Sequence, residues 1–157
     1  MTTLPLLFAH AEGAASPALP AYQTEHAAGL DLVADAFDLP GEPRARSTTL
    51  APGARVLART GLRVAVPPGH AGLVCPRSGL ALRLGLTVAN APGIIDEDFR
   101  GELCVLLVNL GEGDVPLARG MRIAQLVVVP VARATAIEAP DLPPSGRGFG
   151  GFGSTGT

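Results

Sequence analysis

Four carboxylic acids, Asp96, Glu97, Asp98 and Glu102, fall within seven positions just after the turn signal Pro92-Gly93. Asn90 and Asp96 stand six apart across that turn, and Ile94-Ile95 beside Asp96 favours a partly buried carboxylate. If the flanks pair as a hairpin, alternate backbone N–H and C=O groups line its inside. Such a row matches the acceptor–donor–acceptor edge of uracil. The acids suit a water nucleophile or a metal ion equally well. A solvated turn with capping acids would need no chemistry at all.

Four further segments join reactive side chains to tight backbone. Pro76-Arg77-Ser78-Gly79-Leu80 ends the apolar run Gly72–Cys75. Either it aims a guanidinium, a hydroxyl and backbone N–H groups at one anion, or it is a tight turn. Ala28-Gly29-Leu30-Asp31-Leu32 sets an acid inside an apolar strand, which alone reads as an edge-strand Asp facing solvent. Arg119-Gly120-Met121-Arg122-Ile123-Ala124-Gln125-Leu126 reads as a turn feeding a strand, with Gln125 able to turn its amide into a site. The tail Arg147-Gly148-Phe149-Gly150-Gly151-Phe152-Gly153-Ser154-Thr155-Gly156 combines Arg and hydroxyls for phosphate with rings for a base. It lacks the Gly-Lys-Ser/Thr of a Walker loop.

The elements that must hold these groups are short and β-rich. Candidate strands are Leu4–Phe8, Leu30–Val33, Val56–Arg59, Leu62–Val66, Gly72–Cys75, Leu86–Ala89, Leu103–Val108, Ile123–Val129 and Thr135–Glu138, with one helical turn at Leu80–Leu84. Pro52-Gly53, Pro67-Pro68-Gly69 and Gly111-Glu112-Gly113 punctuate them, and this spacing predicts an all-β sandwich or barrel. With 20 glycines and 15 prolines in 157 residues, an all-helical bundle is excluded. At 47% hydrophobic the chain is too apolar for a disordered one. Leu103–Val108 and Leu126–Val131 are continuously apolar, as strands covered on both faces are. The charged fraction of 17% falls below the roughly 25% usual for soluble domains. Both features predict a second cover supplied by other subunits. Residues 1–138 read as the β domain and 139–157 as a flexible arm.

Charge and thiols exclude further classes. All twelve basic residues are Arg, scattered from Arg44 to Arg147 within a net charge of −2, so no basic stripe for nucleic acid is expected. His10, His26 and His70 show no zinc-ligand spacing. Cys75 and Cys104 read as reduced buried thiols of a cytoplasmic protein. No stretch is long enough for a membrane helix, and the apolar start reads as a first strand rather than a signal.

Taken together and in order, the five segments resemble the five motifs of the homotrimeric dUTP diphosphatases (dUTPases), over Ala28 to Gly156. The matching patterns are Ala-Gly-x-Asp-Leu, Pro-Arg-Ser-Gly-Leu-Ala, Gly-x-Ile-Asp-x-Asp-aromatic-x-Gly, Gly-x-Arg-Ile-Ala-Gln-Leu and Arg-Gly-x-Gly-Gly-Phe-Gly-Ser-Thr-Gly. The resemblance implies a jelly-roll-like β-barrel or sandwich, assembled as a threefold trimer whose sites lie between subunits. Residues 139–157 would then close a neighbouring site. The implied enzyme reaction is dUTP plus water to dUMP and pyrophosphate, limiting uracil in DNA and supplying dUMP for thymidylate synthesis, with Mg2+ bound mainly through the phosphates.

The resemblance also implies roles. Asp96 would orient and deprotonate the water. Asn90 and the backbone from Gly93 to Ile95 would read uracil, and Phe99 would pack on the deoxyribose. Arg77, Ser78 and Gly79 would hold phosphates with Gln125 alongside, and Asp31 would support a hydrated metal or the site's Arg. Phe152 would stack on the base while Arg147, Gly153, Ser154 and Thr155 grip the terminal phosphate. Phe99 stands where the family usually has Tyr, Met121 where an acid is usual, and Phe149 is an insert. A non-catalytic deoxynucleotide-binding trimer would lack Asp96 or the arm. A dCTP deaminase of the same fold would carry a different second and third motif.

Overall fold

Strand formation begins with β-branched and leucine-rich runs broken by Gly and Pro, and the computed structural model describes the result for residues 4–150. In chain order the elements are β1 (Leu7–His10), β2 (Leu30–Val33), β3 (Ala36–Leu39), β4 (Glu42–Ala45), β5 (Ser47–Leu50), β6 (Arg55–Ala65) and β7 (His70–Cys75). Then come α1 (Ser78–Leu84), β8 (Leu86–Val88), β9 (Gly93–Ile95), β10 (Glu102–Asn109), β11 (Val115–Ala118) and β12 (Arg122–Pro130). One antiparallel sheet runs β4-β3-β6-β10-β8, with β1 beside the far half of β6; a second runs β2-β12-β7-β9; and β5 pairs with β11. The all-β, jelly-roll-like reading holds.

Several elements differ from the sequence reading. Val56–Arg59 and Leu62–Val66 belong to one strand, β6, whose run passes through Gly61 where the β10 register slips between Glu102 and Cys104. A glycine inside a strand marks such a bulge as readily as a break. Thr135–Glu138 forms no strand and Ile137 is exposed, because no edge among the described residues pairs with it. The first strand is Leu7–His10 rather than Leu4–Phe8.

Leu32, Phe37, Leu103, Leu107 and Leu126 are fully buried in a core fed by both large sheets. Each such side chain contributes about 1.5–3 kcal/mol by leaving water. β10 buries Leu103, Val105 and Leu107, whereas Cys104 and Leu106 remain partly open. Its second apolar face is therefore only partly covered among the described residues. Cys75 and Cys104 are half-buried free thiols, less enclosed than the sequence suggested. Burial, then the Glu102 charge, pushes the Cys104 thiol up to about 11, which keeps it protonated.

Helix α1 stops at Gly85, whose φ of 66° is left-handed and whose N–H caps Ala81. A Cβ on Gly85 would lie 2.3 Å from the Gly111 nitrogen, and one on Gly111 would lie 2.5 Å from the Leu84 carbonyl oxygen. The helix end and the loop after β10 thus meet glycine on glycine.

An ion network ties the first sheet together. Buried Asp35 accepts from Arg44 at 2.8 Å and from Arg119, Arg44 reaches Glu102 at 3.3 Å, and Arg59 bridges Glu102 at 2.7 Å to Asp38 at 2.6 Å. The arginines are a quarter to a third exposed, so each of these pairs contributes only about 0.2–1 kcal/mol. The core dominates stability; the network governs its acid limit. Burial of Asp35 works against ionisation, yet Arg119 and Arg44 overcome it and hold the carboxyl below its usual 3.8. Hydrogen bonding from Arg59 lowers Asp38 in the same sense. A depressed carboxylate gives stability that is present above 3.8 and lost as pH falls through the folded value. The melting temperature should hold between about pH 7 and about pH 5 and drop below 3.8. Asp35→Asn should melt lower at neutral pH and decline less steeply in acid. An equally steep decline would remove Asp35 from the acid limit.

Candidate active site

Three motifs far apart in sequence become neighbours through cross-strand register. On β12, Gln125 lies opposite Asp31 of β2 on one side and opposite Cys75 of β7 on the other. Directly opposed residues share a face, so Asp31, Gln125 and Cys75 form a row, with Arg77 two residues beyond Cys75. Gln125 Nε2 donates to the Pro76 carbonyl at 2.9 Å and so fastens the strand end. A Cβ at position 29 would fall 2.5 Å from Gln125 Oε1, so Gly29 makes room for that amide.

Asp31 is 8% exposed and holds two guanidiniums. Arg77 donates through Nε at 3.1 Å and Nη2 at 3.4 Å, and Arg122 through Nη1 at 3.0 Å. Of the two partners expected for Asp31, the geometry shows the site's Arg. Arg77, Ser78, Gly79, Arg83, Arg122 and Gln125 line a cleft of about 410 Å³ around Asp31. Three guanidiniums against one carboxylate make it a cationic cleft. Ser78 and Gly79 open α1, and the first N–H groups of a helix have no acceptor within it.

The acidic segment is built differently from the hairpin expected. β8 pairs with β10 and β9 pairs with β7, so the flanks of Pro92-Gly93 sit in different sheets and do not pair with each other. The turn carries a cis Ala91–Pro92 bond and crosses between layers. Asn90 lies over Gly93, where a Cβ would be 3.4 Å from its Nδ2. Asp96 is exposed rather than partly buried, and Ile94 beside it is 65% exposed. Phe99 packs against the core; a Cβ on Gly101 would come within 2.8 Å of its ring.

Structure separates the four acids. Glu97 accepts the Gly69 N–H at 2.6 Å, and Glu102 is taken up by Arg44, Arg59 and the Gly61 N–H at 2.9 Å. The carboxylates of Asp96 and Asp98 have no hydrogen-bond partner among the described residues, although the Asp96 backbone carbonyl accepts the Phe99 N–H at 3.2 Å. Nor do three His, Cys, Asp or Glu side chains gather to hold a metal among those residues. Asp96, Asp98, Ile94, His70 and Arg133 line a second cleft of about 330 Å³.

The two clefts share no lining residue. One chain brings Asp31, Arg77, Ser78, Gly79 and Gln125 together, and separately positions Asn90, Gly93, Ile95, Asp96 and Phe99. Arg147 is exposed in a turn where Gly150 N–H bonds its carbonyl at 3.2 Å. Phe152, Gly153, Ser154 and Thr155 lie outside the described residues. Sequence reading missed Arg122 as a partner of Asp31, and missed Arg83. Their signals were a cation two residues past the Gly120 turn and one a helical turn past Gly79.

An antiparallel jelly-roll-like chain with a cationic cleft at one strand end and acids on an inter-sheet turn defines a β-fold protein with a basic pocket of a kind that suits an anion. The family model described as dUTPase matches residues 16–156, and the chain belongs to that family. It is 58% identical over 138 residues to the deoxyuridine 5'-triphosphate nucleotidohydrolase of Anaeromyxobacter sp. (strain Fw109-5), covering 88% of this chain and 87% of that one. With the protein of that name from Methylocella silvestris it is 54% identical, covering 88% and 82%. Its fold is like that of Staphylococcus bacteriophage 80alpha dUTPase with dUPNHPP, at TM-score 0.84 and 23% identity, covering 99% of this chain and all of that one. A dUTPase of phage phi11 of S. aureus, whose structure is described for coordination of a structural Mg(II) ion, is alike at TM-score 0.73 and 19% identity, covering 88% and 98%. No helix among the described residues is long and apolar enough to cross a membrane.

Proposed function

We propose that the chain hydrolyses dUTP to dUMP and pyrophosphate as a cytoplasmic homotrimer. The observation that carries this reading is the Asp31–Gln125–Cys75 register, which assembles Arg77, Ser78 and Gly79 into one cationic cleft. Asp96 lies in the other cleft, so a complete site is made when the acid of one subunit faces the cationic cleft of another. The half-open apolar faces of β10 and β12 suit that association.

Asp96 takes a proton from water as the water oxygen bonds the α-phosphorus. The bond from that phosphorus to the bridging oxygen breaks, and pyrophosphate leaves with the electron pair. Both Asp31 oxygens are already held by guanidiniums, so Mg2+ would be held mainly by the substrate's own phosphates and would supply charge neutralisation there. Arg77, Ser78 and Gly79 bind the phosphates, and Gln125 supports them through Pro76. Little covalent work falls to the protein; alignment and charge neutralisation supply the rate. Asn90 and the backbone of residues 93–95 read uracil, because mismatched buried donors and acceptors are costly. Phe99 selects the deoxyribose by volume alone, which limits rejection of UTP to roughly 10²-fold. Arg147, Phe152, Gly153, Ser154 and Thr155 close the site from a neighbouring subunit.

The test is pyrophosphate release with Mg2+ from dUTP, dCTP, dTTP and UTP offered separately. Fast release from dUTP, with UTP slower by about two orders of magnitude, is expected. No pyrophosphate from dUTP by a folded trimer would overturn the reading.

A further inference from the structure

Arg83 is the one cation of the Arg77 cleft that no group among the described residues engages. Arg77 and Arg122 share Asp31, whereas the Arg83 side chain makes neither a hydrogen bond nor an ion pair among those residues. It sits four residues after Gly79, one turn along α1, so both stand on the same flank of the helix. The close approach is measurable: a Cβ on Gly79 would lie 3.1 Å from Arg83 Nη2 and 3.3 Å from Nη1. Arg83 is exposed overall, yet its guanidinium folds back against the bare face of Gly79 at the lining of the cleft. Its five N–H donors are uncommitted there. The carboxylate of Asp31 offsets one of the two guanidiniums it binds, so Arg83 doubles the net positive charge of the cleft.

We propose that Arg83 is a phosphate-binding residue of this cleft, taking phosphate oxygens of the nucleotide through its planar fork. The inference rests on the dUTP reading for its substrate, although the anion chemistry of the cleft stands apart from it. The sequence pattern hides this role, because an Arg on a short exposed helix reads as a solvated side chain.

The experiment compares the full chain with Arg83→Gln and Arg83→Lys. Arg83→Gln should raise KM for dUTP about tenfold with kcat changed less than about threefold, the loss expected of one charge-assisted hydrogen bond at a partly open site. Inorganic pyrophosphate, measured by calorimetry, should bind Arg83→Gln about tenfold more weakly, and Arg83→Lys should fall between, keeping charge but losing the fork. Unchanged KM and unchanged pyrophosphate affinity in folded Arg83→Gln would overturn the proposal. If the unaltered protein releases no pyrophosphate from dUTP, the substrate reading fails. The calorimetric comparison then still decides whether Arg83 binds phosphate.

Discussion

Asp96→Asn is expected to bind dUTP almost as tightly as the unaltered protein and to lose about three orders of magnitude in kcat. The amide keeps the shape and hydrogen-bonding reach of the carboxylate but cannot accept the proton of the attacking water. Asp96 is exposed and its carboxylate makes no internal hydrogen bond among the described residues, so the substitution should leave the melting temperature unchanged. Asp98→Asn is the matched control, since Asp98 is the other acid of the segment without a partner. Near-normal turnover by Asp96→Asn, or a larger loss in Asp98→Asn, would take Asp96 out of its proposed role.

The second large effect concerns the arm. Deleting residues 147–157 should leave the melting temperature and the oligomer unchanged while lowering hydrolysis about a hundredfold or more, since water exclusion and γ-phosphate contacts would go together. Of the deleted residues that the structure describes, 147–149 are exposed and 147–150 form no strand. Co-assembly sharpens this test. Truncated chains and Asp96→Asn chains should each be nearly inactive alone. Trimers containing both should regain activity, because the arm of one subunit can close a site whose Asp96 belongs to another. An active truncation would sink the role of the arm. Verified mixed trimers without recovered activity would contradict sites shared between subunits.

How legible the site was depends on the distance over which each piece is specified. Arg77, Ser78 and Gly79 are consecutive, so their joint chemistry could be read locally. Asp31 and Gln125 meet only through the β2-β12 register, a long-range choice fixed by which face of each strand is buried. Among the strands, β4 carries Pro43 and β11 carries Pro116, and proline lowers a strand reading although edge strands accept it. The opposite error occurred at Thr135–Glu138, where composition suited a strand that finds no edge to pair with among the described residues. The assumed hairpin around Pro92-Gly93 failed for a related reason. A turn dipeptide specifies a reversal of direction, not whether the two flanks end in one sheet, and here they enter different sheets.

The contact between Gly85 and Gly111 sets a limit on how this sequence can drift. Each position excludes a side chain because of backbone from the other's segment, so mutating one does not free space for the other. Leu110, immediately before Gly111, is 71% exposed and makes no comparable demand. Saturation mutagenesis should therefore find two glycine-only positions, Gly85 and Gly111, with a permissive Leu110 beside the second. Substitution at either glycine would displace α1, and with it Arg77, Ser78 and Gly79, so activity would fall even where the β core still folds. Selection for the chemistry of the Arg77 cleft thereby acts on two residues that line neither cleft.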